Sequence, residues 1–360
     1  MYFVYFVVEE VLCVLCVFAV RINLMWKMTE ESVYKKLSIQ TLKTGESLEI
    51  GVVSAPDKAH ADQIAPFLQH KGDPWNGHIA NALKEPLDEL ETRFYVGKLR
   101  GTIITNVMTV EYNRTGILGH VYTQPEHRRK GACKLVMAEQ MKDFRTRGGV
   151  LFLGTGYDSP PYWIYHSFGF RSLIEGSGFM TFATEDDFEV RYFAPGKAHV
   201  AEVRWKDWPR LNALFAIREG AFLRSVGQGR YGVSSFEGEF LRLKVALEED
   251  ATYQARLLES ERGAVVGCAT LTKDPRWHRD VWLLDIFIHP NFASSMGPLL
   301  DALDLPEGKI QCYADSRSSD KICALEQAGF RQEAIFKAHI QADDGERLNV
   351  RVYAAYPAVS

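Results

Sequence analysis

The stretch Gln124-Pro125-Glu126-His127-Arg128-Arg129-Lys130-Gly131-Ala132-Cys133 decides the reading of this chain. It follows residues 117–123, an apolar and β-branched run that predicts a strand. After it, Cys133, Met137, Met141 and Phe144 fall on one face of a helix over 131–147, which Gly148-Gly149 ends. A strand, a basic glycine-containing turn and a helix start make an anion site by elementary physics. Gly131 has no Cβ, so backbone can approach a ligand closely. The free N–H groups and dipole of the helix start favour negative charge. Arg128, Arg129 and Lys130 put three cations where they would otherwise oppose that dipole, which points to a phosphate-bearing ligand.

Outward from this turn, strands and helices alternate. Strands are predicted at 48–53, 94–99, 102–112, 117–123 and 150–153, with a hairpin across Arg100-Gly101. Helices are predicted over 57–69, interrupted at Pro66, and from Pro161 towards Gly169. The second half repeats the order. Strands are expected at 199–204, 253–258, 264–271, 282–288 and 310–313, and helical stretches at 208–217, after His289-Pro290 as far as Leu303, and at 319–328. LGHVYTQPEHRRKGACKLV aligns with LLDIFIHPNFASSMGPLLDAL, and YHSFGFR with LEQAGFR. A repeat of this length reads as two copies of one domain, with the boundary at Ala194-Pro195-Gly196. The expected fold class is α/β (α+β): two tandem domains over 28–195 and 196–360, each a mixed, mostly antiparallel sheet flanked by helices.

Length and composition agree. A chain of 360 residues suits two domains, and 46% hydrophobic with 24% charged residues is ordinary globular composition. A net charge of −4 lacks the basic excess of a dedicated nucleic-acid binder, so no nucleic-acid partner is expected. Six cysteines are too few for a disulfide scaffold and suit a reducing, cytoplasmic setting. Cys13 and Cys16 lack a second ligand pair, and the ten histidines show no paired spacing, so no metal is expected. Residues 1–27 form an apolar leader split by Glu9 and Glu10, with neither a basic start nor a small-residue cleavage site. The expectation is that Met28 is the true start and that no stable membrane association follows.

The Arg128-x-x-Gly131-x-Cys133 turn resembles the Arg/Gln-x-x-Gly-x-Gly/Ala signature of the GNAT superfamily of acyl-CoA-dependent N-acyltransferases, with Cys133 as a small departure. Ile164-Tyr165-His166-Ser167-Phe168-Gly169-Phe170 is similar to a second element of that family, and the resemblance covers roughly 48–182. It implies an N-acetyltransferase that uses acetyl-CoA as cosubstrate and a direct attack by a small-molecule or peptide amine. Val121, Tyr122 and Thr123 would pair with the pantetheine arm and polarise the thioester. Arg128, Arg129, Lys130, Gly131, Ala132 and Cys133 would hold the pyrophosphate. Tyr165 matches the acid that protonates the leaving thiolate. Asp158 stands where many relatives have an Asn on pantetheine, and it lacks the amide donors.

The general base stays open. His120 is the obvious candidate, yet strand alternation sets it opposite Gly119, Val121 and Thr123 unless a β-bulge re-aims it. Water relayed through Tyr122, Asp158 or a residue of 73–78 is the alternative. The segment 72–78 lies where relatives bind acceptors, and Trp75, Tyr162 and Trp163 could wall that pocket. In the second copy, Ala293, Met296 and Leu325 replace Arg128, Gly131 and Tyr165, so that half is expected to be a scaffold that covers the first domain or shapes its acceptor cleft, with the acceptor bound between the halves. Rival readings are a non-catalytic acyl-CoA sensor, or an acyltransferase for another acyl group or a hydroxyl acceptor.

Overall fold

The computed structural model describes residues 34–277 and 280–357; the leader reading falls outside them. The first half runs β1 (Tyr34–Thr41), β2 (Ser47–Ser54), α1 (Lys58–Leu68), α2 (Trp75–Lys84), β3 (Glu91–Leu99), β4 (Thr102–Tyr112), β5 (Thr115–Thr123), α3 (Ala132–Phe144), β6 (Val150–Gly154), α4 (Pro160–Ser167), β7 (Arg171–Ser172) and β8 (Phe179–Ala183). A short α5 (Phe188–Tyr192) leads to β9 (Ala198–Ala201), α6 (Asp207–Ala216), β10 (Leu223–Ser225), β11 (Arg230–Tyr231) and α7 (Glu237–Glu249). Then come β12 (Gln254–Ser260), β13 (Val265–Lys273), β14 (Val281–Ile288), α8 (Met296–Asp301), β15 (Lys309–Asp315), α9 (Ser319–Gln327), β16 (Arg331–Gln341) and β17 (Arg347–Ala355).

Two mixed sheets result, of order β1-β2-β3-β4-β5-β6-β8-β7 and β16-β17-β15-β14-β13-β12-β9. Each is antiparallel except for one central parallel pair, β5 with β6 and β14 with β15. The shared order matches the repeat read from sequence. Local chemistry explains the joints. Arg100 (φ +52°) and Gly101 (φ +86°) both take left-handed backbone, the geometry a two-residue hairpin requires. Asp57 caps α1 by accepting from the His60 N–H at 3.0 Å. That helix continues through Pro66 instead of being interrupted there.

The sheets are not independent layers. On one face of the first sheet, α3 and α4 cover a core containing Leu118, Val136, Met137 and Tyr165. The other face shares one continuous core with the second half, joining Met108, Val110 and Ile117 to Trp208, Leu211, Leu214 and Leu271. All ten residues of α6 are buried. Burial of each of its large side chains stabilises by about 1.5–3 kcal/mol. Polar contacts fix the join: Asn113 Nδ2 donates to the Arg262 carbonyl at 3.0 Å, and Lys206 pairs with Glu89 at 2.9 Å. Arg210, buried in an ion pair with Asp207 and another with Glu259 at 3.0 Å, lies over the Tyr112 ring.

Candidate active site

Strands β5 and β6 pair only from Thr115 to Ile117, against Val150 to Phe152. Beyond Ile117, β5 has no strand partner on that side, while Leu153 and Gly154 of β6 pair only with β8. The two strands therefore splay, and polar backbone faces the opening. At its mouth is a cleft of about 490 Å³ lined by Lys43, Val121, Tyr122, Thr123, His127, Arg128, Arg129, Gly131, Ala132, Cys133, Lys134, Pro160, Pro161, Ile164 and Tyr165. Most of the residues singled out from sequence thus meet around one opening.

The basic turn is built to present its charges. Gly131 has φ +93° as the N-cap of α3, where an L side chain would be strained. Arg129 also takes left-handed backbone (φ +64°), at a cost of about 1–2 kcal/mol. The Lys130 carbonyl accepts from the Lys43 N–H at 3.0 Å, which ties the loop to the β1–β2 turn. Arg128 folds back on β5, its Nε donating to the Thr123 carbonyl at 3.1 Å and its guanidinium 5.9 Å from the centre of the Tyr122 ring. Arg128 and Arg129 stay exposed. Lys130 is outside the lining and lies 3.4 Å from His127 Nδ1.

Tyr165 is 8% exposed, and its hydroxyl has no hydrogen-bond partner among the described residues. Burial, then the nearby Cys133 and Glu237, push its pKa well above the ordinary phenol, so it is protonated throughout the neutral range. Burial likewise raises Cys133 to about 11, which removes it as a thiolate nucleophile.

Three expectations change. Val107 alone stands opposite His120 and Val121, because Asn106 pairs with Tyr122 and Met108 with Gly119. This β-bulge, with His120 at φ +48°, breaks the strict alternation: Gly119 and Tyr122 now share one face. The bulge does not bring His120 into the lining of the cleft. Its ring packs edge-on to Trp75 at 5.5 Å, and burial first, then Lys71 and His70, hold its pKa at about 3. Asp158 is outside the cleft and accepts from Trp163 Nε1 at 2.8 Å, because its left-handed backbone (φ +57°) turns the carboxylate onto that ring. Trp75, Tyr162 and Trp163 do not form one wall. Tyr162 is buried with its hydroxyl 3.0 Å from Ser172 Oγ, and Trp163 is exposed. Trp75 instead opens α2 on the opposite face of the sheet, stacked at 6.2 Å on Trp208.

One residue was missed from sequence. Glu237, the first residue of α7, comes from the second half and reaches the bulge of β5. A Cβ on Gly119 would lie 3.4 Å from Glu237 Oε1. Its carboxylate has no hydrogen-bond or ion-pair partner among the described residues, and burial raises its pKa to about 7. Glutamates at 237 and 239, followed by Phe240, Leu243 and Leu247 at helical spacing, were the available signal for this helix.

In the second half, Ala293 and Met296 line a smaller cleft of about 260 Å³, and Leu325 is fully buried in α9. No family model matches the sequence, and no curated protein matches it. Solved structures are similar to part of it. A GNAT-family acetyltransferase from Streptococcus pneumoniae is 18% identical, with 45% of this chain and 100% of that chain covered and a TM-score of 0.36. A putative acetyltransferase from Salmonella typhimurium with its cofactor acetyl-CoA is 13% identical, with 44% and 93% covered and a TM-score of 0.36. A phosphinothricin acetyltransferase of the GNAT superfamily from Sinorhizobium meliloti, in complex with acetyl-CoA, is 18% identical, with 44% and 88% covered and a TM-score of 0.36.

Proposed function

We propose that the chain is an acetyl-CoA-dependent N-acetyltransferase of GNAT type, that the domain over 28–195 binds the coenzyme, and that the domain over 196–360 does not. One observation carries this reading: the basic turn, the start of α3 and Tyr165 line a single cleft that opens on the splay of β5 and β6. The loop supplies charge and helix amides for a pyrophosphate. The unpaired edge of β5 supplies backbone N–H groups for a pantetheine arm and for the thioester oxygen as it gains negative charge. Tyr165 supplies the proton for the departing thiolate. Aligning an amine with a held thioester removes much of the entropic barrier to their reaction.

The second half lacks these features. Ala293 and Met296 bring neither the cation nor the glycine to its cleft, and Leu325 has no proton to give. Thiol release from acetyl-CoA in the presence of primary amines tests the reading, with amide product confirmed by mass. Amine-dependent release supports the enzyme; acetyl-CoA binding without any release supports a sensor.

A further inference from the structure

We propose that Glu237, on the second half, is the proton acceptor for the amine, so that the active site is completed across the join between the two halves. This rests on the acetyltransferase reading above and extends it.

The geometry has three parts. First, the two faces of the first sheet are unlike at the splay. Tyr165 belongs to the core on the α3 side, whereas Gly119 and Tyr122 share the face of Met108, which the second half covers. Glu237 approaches from that second face. Its charge bears on the Tyr165 phenol, and its carboxylate meets β5 at Gly119, on the sheet face opposite the Tyr165 core. Second, the placement is held. Trp208 Nε1 donates to the Glu237 carbonyl at 2.9 Å, and the neighbouring Gly238 lies against Trp75. The carboxylate lies at van der Waals distance, 3.4 Å, from where a Cβ on Gly119 would stand.

Third, several polar atoms beside Trp75 and Trp208, the rings that hold the start of α7, lack hydrogen-bond partners. His120 Nε2, both ring nitrogens of His78 and Asn106 Oδ1 are buried without hydrogen bonds. The titratable groups that bear on the carboxylate are Glu239 on its own helix, Lys71 from the turn after α1 and Tyr165 from α4. Burial is the largest influence, and it brings the carboxyl to about 7, where a base is half available at neutral pH. His120 and His78, both near 3 through burial, are too weak to compete.

The acceptor arrives as an ammonium ion; Glu237 takes one proton and passes it to solvent. The freed lone pair attacks the thioester carbon, and the resulting N–H proton goes to Glu237 as the C–S bond breaks. The thiolate takes the phenolic proton of Tyr165, which is replaced by the proton that Glu237 now holds. One amide, one coenzyme A thiol and one released proton result.

The test compares two small nucleophiles at saturating acetyl-CoA with the full chain. Ethylamine is almost wholly protonated at neutral pH and needs a base, as an amine of pKa about 10 does. Hydroxylamine is largely unprotonated there and needs far less help. Glu237→Gln is expected to lower the ratio of ethylamine to hydroxylamine turnover by roughly 10²–10⁴-fold, the usual range for an acid–base group. The acidic limb of the parent's ethylamine pH profile near 7 is expected to vanish in the variant, while its calorimetric affinity for acetyl-CoA is retained. An unchanged ratio, or equal loss with both nucleophiles, would overturn the inference and leave the acetyltransferase reading intact. Absence of turnover by the parent with either nucleophile would overturn that reading and this inference with it.

Discussion

Replacing Tyr165 with Phe separates a chemical role from a packing role, because the structure assigns the hydroxyl no packing duty. The ring is 8% exposed and packs at 6.1 Å from the Phe170 ring, which phenylalanine would preserve. Its hydroxyl has no partner among the described residues, so deleting it strands no donor or acceptor. Tyr165 lines the open cleft, so removing its hydroxyl leaves no buried group unpaired and is close to neutral for stability. At about 2–4 °C per kcal/mol for chains of 150–250 residues, and less for longer ones, Tm should hold. Turnover is another matter. Loss of the proton donor to the thiolate is expected to lower kcat by roughly 10²–10⁴-fold, with acetyl-CoA affinity held within about threefold. Thiol release, thermal melting and calorimetric titration of parent and variant read the three quantities. A drop in Tm of several degrees, or turnover equal to the parent's, would refute the reasoning.

Other consequences follow from the same contacts. Gly119→Val puts methyl groups against Glu237 Oε1, already 3.4 Å from the Cβ position, and the strand backbone tolerates valine. Kinetics should show a loss approaching 10²-fold in kcat with acetyl-CoA binding retained, the scale of a 1 Å misplacement at a reacting centre. His78 and His120, held near 3 by burial, stay neutral in the folded chain while their unfolded counterparts titrate near 6.5. The unfolded state therefore binds more protons below pH 6.5, and stability should fall from there towards pH 3. Glu237, raised to about 7, acts in the opposite sense, destabilising as pH rises from about 4.5 to 7. Urea midpoints between pH 8 and 5 should thus show Glu237→Gln more stable than the parent at pH 8, with a steeper decline on acidification.

The coenzyme side of the site was legible in sequence because its signals are local. A basic turn around Gly131, between a β-branched run and a one-faced helix, needs no long-range information, and the cleft gathers Arg128, Arg129, Gly131 and Tyr165. The hairpin at Arg100-Gly101 was legible for the same reason. The acceptor side was not, because it depends on contacts distant in sequence. The bulge at His120 is a register event between β4 and β5 that leaves no composition signal. The segment 72–78, expected at the acceptor site from the resemblance, instead opens the helix Trp75–Lys84, which the shared core holds. Glu237 lies 118 residues beyond Gly119, and only the packing of α6 between the sheets brings the two together. The lost motif residues of the second half implied a scaffold that covers the first domain or shapes its acceptor cleft, but no local signal says which of its side chains meet β5.

Calorimetric titration of the full chain with acetyl-CoA, beside an Arg128→Ala, Arg129→Ala variant, tests the central claim most directly. The parent should bind one equivalent per chain, and the variant should lose roughly 10²-fold or more, at about 1.5–3 kcal/mol for each charged hydrogen bond removed. Two equivalents, an unweakened variant or no binding at all would contradict the assignment of a single coenzyme site to the splay of β5 and β6.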